Sequence, residues 1–204
     1  MLLPLPTRFR EEPTQLIDYP RGKIQTSYTI PSSVDSIEYF AFENCTSLTS
    51  VTIPNSVTSI KVYAFSGCTG LTSISIPSSV TEVLYGAFAD CTGLTGVSIT
   101  NGLKIIGGDS FGGCTNLASV TIPASVTTLY NGAFAQCTKL AKAYFLGAHP
   151  ASFGKNDPYS DDHPSERVFT ETAANFRIYF PKSAKGWTKP TWHGYKALPY
   201  KPTR

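Results

Sequence analysis

The sequence is poor in charge and has no long apolar segment. Charged residues make up 15% of the 204-residue chain, where about 25% is usual, and 41% of the residues are hydrophobic. This composition excludes a largely disordered chain, which would be rich in charge and poor in apolar residues. The apolar runs span only a few residues, far below the roughly 20 needed to cross a bilayer. A soluble protein with no membrane span is predicted.

An export signal and a strong charge of one sign are also missing. Residues 1–6 are too short and too broken by Pro4 and Pro6 to form the apolar core of a signal peptide, so no signal peptide is expected in this chain. The net charge of +3 is too small to indicate nucleic acid as a partner.

Motifs for common enzyme chemistry are absent as well. The sequence has no GxSxG, no P-loop and no dinucleotide fingerprint, and its three histidines form no HExxH pair. One acidic cluster lacks the ligand spacing of a calcium loop and is interpreted as a solvated loop rather than a calcium or zinc site; it contains Asp157, Asp161, Asp162, His163 and Glu166. We therefore predict a non-enzymatic protein with no catalytic residues, metal site or cofactor.

What the sequence does contain is a repeat. Its five cysteines are spaced 23 residues apart throughout: Cys45, Cys68, Cys91, Cys114 and Cys137. Disulfide frameworks and zinc sites use short pairs or irregular spacings, and an odd number of thiols cannot pair completely within one chain. A constant period of this length indicates a repeat protein.

Other positions share the period without insertion or deletion between Ile30 and Leu140. The phenylalanine column contains Phe42, Phe65, Phe88, Phe111 and Phe134. Three aliphatic columns contain Leu48, Leu71, Leu94, Leu117 and Leu140; Ile30, Ile53, Ile76, Ile99 and Ile122; and Val34, Val57, Val80, Leu103 and Val126.

Each unit predicts one coil of a solenoid. The alternation of Val51 and Ile53 is typical of a strand, which Pro54 ends because proline cannot donate to a ladder. Val57 and Ile60 then suit a short turn or a second brief strand. The residue before each cysteine is one that mostly tolerates a left-handed turn.

One coil cannot bury its own apolar face, but stacked coils can. We therefore predict a mainly β solenoid of about five coils, with a parallel sheet on one side and short turns or helical pieces on the other. Phenylalanine would fill the coil centre, and the cysteines would form an unpaired ladder of small buried side chains.

The unit L-x-x-V-x-I-P-x-S-V-x-x-I-x-x-x-A-F-x-x-C resembles the BspA-type leucine-rich repeat, most clearly from Leu48 and again from Leu71. The resemblance implies a leucine-rich-repeat solenoid. It also implies a bacterial surface or secreted protein with a role in adhesion and protein binding. An extracellular or cell-surface location is expected on this ground.

Three regions are predicted. Residues 1–15 form an N-terminal arm, residues 16–146 the solenoid with a variant first coil, and residues 147–204 a C-terminal cap. Within the cap, the alternation from Phe176 to Phe180 predicts a further strand. Aromatic residues of the cap, together with Leu198, are expected to cover the last coil; the aromatic ones are Trp187, Trp192 and Tyr195.

The first candidate binding surface is an aromatic stripe on the return segments of the coils: Tyr39, Phe40, Tyr63, Leu84, Tyr85 and Tyr130. Exposed tyrosines favour a partner site, and packing between neighbouring coils is the alternative interpretation. The strand side offers small hydroxyls such as Thr49, Ser50 and Thr52, which suit solvent-facing strand positions and, less well, an ice-binding array.

The second candidate surface is the cap. Residues 172–204 carry seven basic residues and no acidic ones. The leading prediction is a module that binds a protein or glycan ligand through a preorganised surface that presents the aromatic stripe and the strand-side hydroxyls. The alternative is binding of cell-wall or other polysaccharide through the cap, by Lys185, Trp187, Lys189 and Trp192. Solubility alone would also account for the basic residues.

Overall fold

The protein is described here by a computed structural model, which covers residues 11–12, 14–16, 19, 25–159 and 167–200. Most of the predicted arm lies outside these residues. So do Asp161, Asp162, His163 and Glu166 of the acidic cluster.

Seventeen strands account for the regular structure of the described residues. They are β1 (Glu11–Glu12), β2 (Gln15–Leu16), β3 (Ser27–Thr29), β4 (Ser36–Ile37), β5 (Ser50–Thr52), β6 (Ser59–Ile60), β7 (Ser73–Ile76), β8 (Glu82–Val83), β9 (Gly96–Ile99), β10 (Ile105–Ile106), β11 (Ser119–Ile122), β12 (Thr128–Tyr130), β13 (Lys142–Phe145), β14 (Ser152–Lys155), β15 (Arg177–Pro181), β16 (Thr191–Trp192) and β17 (Tyr195–Tyr200).

The strands form the two walls of a solenoid. The short-strand wall is one eight-stranded sheet in the order β1-β2-β4-β6-β8-β10-β12-β14, in which β2 to β14 supply seven successive coils. The long-strand wall contains β3-β5, then β7-β9, then a five-stranded sheet β11-β13-β15-β17-β16. Neighbouring coils pair in parallel with a shift of one repeat, as in Ile37 opposite Ile60. The predicted solenoid is confirmed, and the stack is longer than the five regular coils.

The corner between the walls follows from the local sequence. Pro54 ends the long strand, and the amide of Val57 donates to its carbonyl oxygen at 3.2 Å, which closes a turn. The short strand then contains Ser59 and Ile60. The second brief strand is therefore the correct alternative. In the described residues, the segment after each short strand contains no helix. Turns connect that strand to the next corner of the coil.

The core is a column of stacked aromatic rings. The five phenylalanine rings of the regular coils lie 4.7 to 5.3 Å apart between centroids and within 5° of parallel. Each of these side chains is fully buried. The prediction that phenylalanine fills the coil centre is confirmed, and one identical contact recurs in every coil.

The cysteines form a second ladder beside the rings. None of the five forms a disulfide, and all are buried. Sγ of Cys91 donates to the carbonyl oxygen of Phe65 at 3.2 Å, and Cys68, Cys114 and Cys137 bond in the same way to a phenylalanine of the preceding coil. The thiols are therefore structural, as predicted, and they also cross-link coils by hydrogen bonds.

The stack continues into the region predicted as the cap. The ring of Phe169 lies 5.4 Å from that of Phe134, although the two residues are 35 apart in the chain. The expected strand at Phe176 is confirmed as β15, which pairs with β13. The segment after Gly147 contains β14, which pairs with β12. The coil between Phe134 and Phe169 is therefore longer than the 23-residue repeat, but it does not interrupt the stack.

Candidate functional site

The aromatic stripe lies along one edge of the solenoid, just before the phenylalanine column. Tyr39 and Phe40 are 48% and 44% exposed. The rings of Phe40 and Tyr63 stack at 5.5 Å, and the ring of Tyr85 meets Tyr63 edge to face at 5.5 Å. The structure therefore brings Phe40, Tyr63 and Tyr85 into one aromatic row, which is partly open to solvent.

Two other residues of the stripe are placed differently. Leu84 is only 4% exposed, so including its side chain in an exposed surface was wrong. Full burial of such an apolar side chain is favourable by about 1.5–3 kcal/mol, which explains its inward position. Tyr130 is half-buried at the end of β12, where it pairs with Lys155 of β14.

Two positions in each regular coil adopt the left-handed backbone conformation. The first column precedes each phenylalanine by two residues, with φ between 48° and 67°; it contains Phe40, Tyr63, Gly86, Asp109 and Gly132. The second follows by two residues, with φ between 52° and 70°; it contains Asn44, Gly67, Asp90, Gly113, Gln136 and, after Phe169, Glu171. The second column confirms the predicted turn before each cysteine, and the first was not predicted.

From Tyr63 onward in the first column, and from Asn44 to Gly113 in the second, each large side chain leans over a glycine of the next coil. A Cβ atom added to Gly86 would overlap the ring of Tyr63. In the same way, Gly132 lies beneath the carboxylate of Asp109, and Gly113 lies beneath that of Asp90. This alternation of large residues with glycine fixes where the aromatic and acidic side chains point.

A groove of about 390 Å³ runs between the two columns in the later coils. Its floor is made of small residues, Ala89, Gly112 and Ala135. We call it the acidic groove and define it by its lining: Tyr63, Tyr85, Ala89, Asp90, Asp109, Gly112, Gly113, Ala135, Gln136, Thr170 and Glu171. The groove exists here because the floor position holds Glu43 and Ser66 in earlier coils and smaller residues in these.

The acidic groove has carboxylates on both sides. Asp109 projects from the first column, and Asp90 and Glu171 from the second. Burial raises the pKa of the Asp109 carboxyl, and the negative charges of Asp157 and Asp90 act in the same direction. The Tyr85 hydroxyl, which donates to Oδ2 of Asp109 at 3.0 Å, opposes this increase. The groove is therefore suited to a positively charged group.

The sequence reasoning missed the acidic side of this site. Asp90 was interpreted only as a residue tolerant of a left-handed turn, and Asp109 was not singled out. The alternation of carboxylates and glycines at two fixed positions of the repeat is the sequence pattern that could have identified Asp90 and Asp109. No such signal exists for Glu171, because the longer coil before it breaks the 23-residue period.

The two tryptophans of the cap pack together, with Trp192 buried and Trp187 half-buried. Trp192 is 5% exposed, and its ring lies 4.3 Å from Phe153 and 4.4 Å from Trp187. Trp187 stacks on Phe180 at 5.0 Å and donates from Nε1 to the carbonyl oxygen of Gly147 at 3.2 Å. Treating Trp192 as a surface binding residue was therefore wrong, because its aromatic area is used to close the solenoid.

The described lysines of the cap remain on the surface. Lys185 and Lys189 are exposed, as are Lys182 and Lys196. The cap thus presents a basic surface without an exposed indole to stack on a sugar ring.

The hydroxyls of the strand side are partly used within the protein. Oγ1 of Thr49 donates to the carbonyl oxygen of Thr26 at 2.8 Å, and Oγ1 of Thr95 donates to that of Thr72 at 3.1 Å. These threonines link neighbouring coils at the start of each long strand.

Four of the buried thiols are poorly suited to act as nucleophiles. Burial raises the pKa of Cys68 and of Cys137 to about 12, and that of Cys91 and Cys114 well above the usual range. A nucleophilic cysteine has a lowered pKa and an accessible sulfur.

Within the described ranges, no group of three metal-ligating side chains is close enough to hold an ion. Asp157 of the acidic cluster is buried, and its carboxylate accepts hydrogen bonds from the amides of Gly108 and Tyr159. No helix in the described part of the chain could span a membrane.

Comparison with known proteins gives one family. The family model for the BspA type leucine rich repeat region matches residues 21–141 with six copies. No curated protein matches the chain.

Solved structures share the fold. A leucine-rich repeat protein of T. pallidum has a TM-score of 0.63 and 28% identity, and the match covers 81% of this chain and 77% of that one. The pneumococcal vaccine antigen PcpA has a TM-score of 0.59 and 20% identity, with 86% and 41% covered. A leucine-rich repeat protein from Eubacterium ventriosum has a TM-score of 0.56 and 20% identity, with 90% and 51% covered. The chain thus spans about half or less of the last two proteins.

Proposed function

Because this chain belongs to the BspA-type leucine-rich repeat family, we propose that it is a non-enzymatic protein-interaction module, secreted or displayed on a bacterial surface. Its ligand is a protein or glycan, and its role is adhesion-like. The binding face is the edge that carries Tyr39, Phe40, Tyr63 and Tyr85. One observation carries this assignment: a partly exposed, continuous aromatic row stands beside an open groove on a repeat scaffold.

The row suits an interface because of its residue types. Aromatic side chains dominate the binding energy of many interfaces and lose little rotamer freedom when they bind. Tyr39 and Phe40 supply exposed apolar area at one end of the row, and Tyr63 and Tyr85 supply hydroxyls further along it.

The edge that bears the row is ordered before binding. The amide of Tyr63 donates to the carbonyl oxygen of Tyr85 at 3.0 Å, and Phe65 and Gly67 bond to the next coil in the same way at 2.7 and 2.8 Å. Backbone hydrogen bonds therefore hold each corner to the same corner of the next coil. A rigid surface loses less conformational entropy when a ligand binds, which favours affinity.

A direct test compares the wild-type chain with the double variant Tyr39→Ser/Phe40→Ser on a panel of purified extracellular proteins and a glycan array. Loss of an aromatic side chain that acts as a hot spot costs about 2 kcal/mol or more, so we expect the dissociation constant of any ligand found to rise by about 10-fold or more. Leu198→Ser is the matched control, since Leu198 is 43% exposed on the cap. Equal binding by all three proteins would refute the assigned face.

A second candidate function rests on the cap. Its exposed lysines, including Lys185 and Lys189, favour binding of anionic cell-wall or other polysaccharide by charge. The variant Lys185→Ser/Lys189→Ser should then lose retention on a cell-wall polysaccharide column in low salt. Retention that survives this change but is lost in the Tyr39/Phe40 variant would favour the aromatic row.

A further inference from the structure

One corner of the regular coils is built differently from the others. Four of the corners that follow the long strands begin with proline: Pro31, Pro54, Pro77 and Pro123. In each of them, the amide three residues later donates to the proline carbonyl oxygen at 3.1 to 3.2 Å, which closes the turn. The corner after β9 begins with Thr100 instead, and within the described residues no such bond spans it.

The hydrogen bonds of Thr100 fix the end of the strand rather than the corner. Its amide and its Oγ1 both donate to the carbonyl oxygen of Ile76 in the preceding coil, at 3.3 and 3.0 Å. The two residues that follow, Asn101 and Gly102, therefore lack both the fixed φ of proline and the bond that closes the other corners.

This corner presents an asparagine–glycine pair to solvent. Asn101 is exposed, and its side chain forms no hydrogen bond with the described residues. A Cβ atom added to Gly102 would overlap the carbonyl oxygen of Ser78, which accounts for glycine where the other coils have serine. The amide of Gly102 donates to Oγ of Ser125 at 3.1 Å. The side-chain carbonyl carbon of Asn101 thus precedes a backbone nitrogen that no side chain shields.

An asparagine followed by glycine can undergo deamidation without an enzyme. The backbone nitrogen of the glycine gives its proton to hydroxide and attacks Cγ of the asparagine. A new C–N bond forms, and the side-chain nitrogen leaves as ammonia, so that a succinimide ring is produced. Water then adds to one of the two ring carbonyl carbons and a C–N bond breaks. The product is aspartate or isoaspartate, and no oxidant or reductant takes part.

A second asparagine–glycine pair in the chain has the opposite environment. Asn131 is 4% exposed, and its Oδ1 accepts a hydrogen bond from the amide of Asp157 at 3.0 Å. The amide of Gly132 donates to the carbonyl oxygen of Arg167 at 3.0 Å. Both reacting groups are therefore held in the stack, and this pair can cyclise only after the coil opens locally.

We propose that Asn101 is a site of spontaneous deamidation in the folded protein, because its corner lacks the constraints of the others, and that Asn131 is protected. The modification goes beyond the proposed function and does not depend on the binding face. It adds a negative charge beside Ser78 and Ala124, the uncharged residues at the same position of the adjacent coils. Isoaspartate also adds an atom to the backbone just before β10, which pairs with both β8 and β12.

The test follows both pairs in the wild-type full chain, incubated in mildly alkaline buffer, digested and analysed by mass spectrometry. We expect Asn101 to convert at least about tenfold faster than Asn131, because the buried pair must first open. In guanidinium chloride the two pairs should convert at similar rates, since the dipeptide is the same. Equal rates in the folded chain would overturn the proposal. So would an unchanged Asn101 over a period in which the unfolded chain reacts.

Two variants separate the dipeptide from the corner. Asn101→Gln should remove the acidic species that ion-exchange chromatography detects in the aged protein, because glutamine cyclises far more slowly. Its urea midpoint should stay the same, since the side chain is exposed. Thr100→Pro keeps the asparagine–glycine pair and restores the proline of the other coils. It should slow conversion of Asn101 in the folded chain but not in guanidinium chloride. Wild-type rates in both conditions would contradict a role for the open corner.

Discussion

Single residues in this solenoid are constrained by the residue one coil away. In the buried phenylalanine, cysteine and leucine columns the neighbour is identical in the regular coils, and the constraint is simple stacking. In the two left-handed columns it is alternation, since a large side chain lies over a glycine. A substitution is therefore best judged within its column, and two positions make sharp tests.

Gly86→Ala is expected to lower the free energy of unfolding by about 1–2 kcal/mol. The residue has φ +59°, and an added Cβ would overlap Tyr63. Gly96→Ala is the control, because no heavy atom lies within 4 Å of its Cβ position and its φ is not left-handed. Urea unfolding monitored by circular dichroism distinguishes them, and equal effects of the two changes would contradict the alternation.

Ser110→Ala is expected to stabilise the protein by up to about 1 kcal/mol. Ser110 is fully buried in a column otherwise made of alanine, and its hydroxyl has no hydrogen-bond partner among the described residues. A buried hydroxyl without a partner is unfavourable. The reciprocal change Ala87→Ser should destabilise the chain. The urea midpoints of both variants give the measurement, and a lower midpoint for Ser110→Ala would show that the hydroxyl is satisfied.

At the scale of elements, the two internal ladders hold the coils together by different interactions. The phenylalanine column contributes apolar area and ring stacking, while the thiols bond to backbone carbonyl oxygens of the coil before them. The ladders therefore respond to different perturbations.

Phe88→Ala tests the aromatic column. The ring is fully buried between Phe65 and Phe111, so its removal leaves a cavity and should cost about 3–5 kcal/mol. Phe88→Leu keeps part of the volume and should cost less. Chemical denaturation provides the values. A loss below about 1 kcal/mol for the alanine variant would mean that the coil centre is not formed by this ring.

The thiol ladder predicts lower stability in alkali. An unfolded cysteine loses its proton near pH 9, whereas Cys68 in the folded chain keeps it to about pH 12. Between these values the unfolded state binds fewer protons, so each such thiol lowers the unfolding free energy as pH rises, by up to about 1.4 kcal/mol per pH unit. Urea midpoints from pH 8 to 11 should fall less steeply for Cys68→Ala/Cys137→Ala. Identical slopes would contradict the raised pKa values.

At the scale of the whole molecule, the solenoid ends in a lid. The hairpin β16–β17 pairs with β15, and the two tryptophans pack against Phe145 at the end of β13. Stacked repeats contact only their neighbours, so an open end would expose the core to water. The aromatic cap covers this end.

Trp192→Ala should therefore destabilise the C-terminal coils by about 3–5 kcal/mol. Hydrogen exchange is expected to increase first in β13, β15 and β17, where the lid contacts the stack. Lys189→Ala is the control, because this exposed residue should change stability by less than about 0.5 kcal/mol. Uniform loss of protection along all coils would contradict a local role for the lid.

The sequence by itself determined the fold. A constant 23-residue period identifies which residues stack, and the strand at Val51 and the turn before Cys68 follow from local chemistry. The buried phenylalanine and cysteine columns were predictable for the same reason, since an apolar residue at a fixed position of a coil must face its copies.

Only the tertiary structure decided where the surface side chains lie. Leu84 and Tyr85 are adjacent in sequence, yet one is buried and the other borders the groove. Glu171 joins Asp90 and Asp109 only because a longer coil still closes in register with the stack. Periodicity specifies which positions repeat, whereas the direction of a side chain depends on its neighbour one coil away, and that neighbour is known only once the coils are stacked.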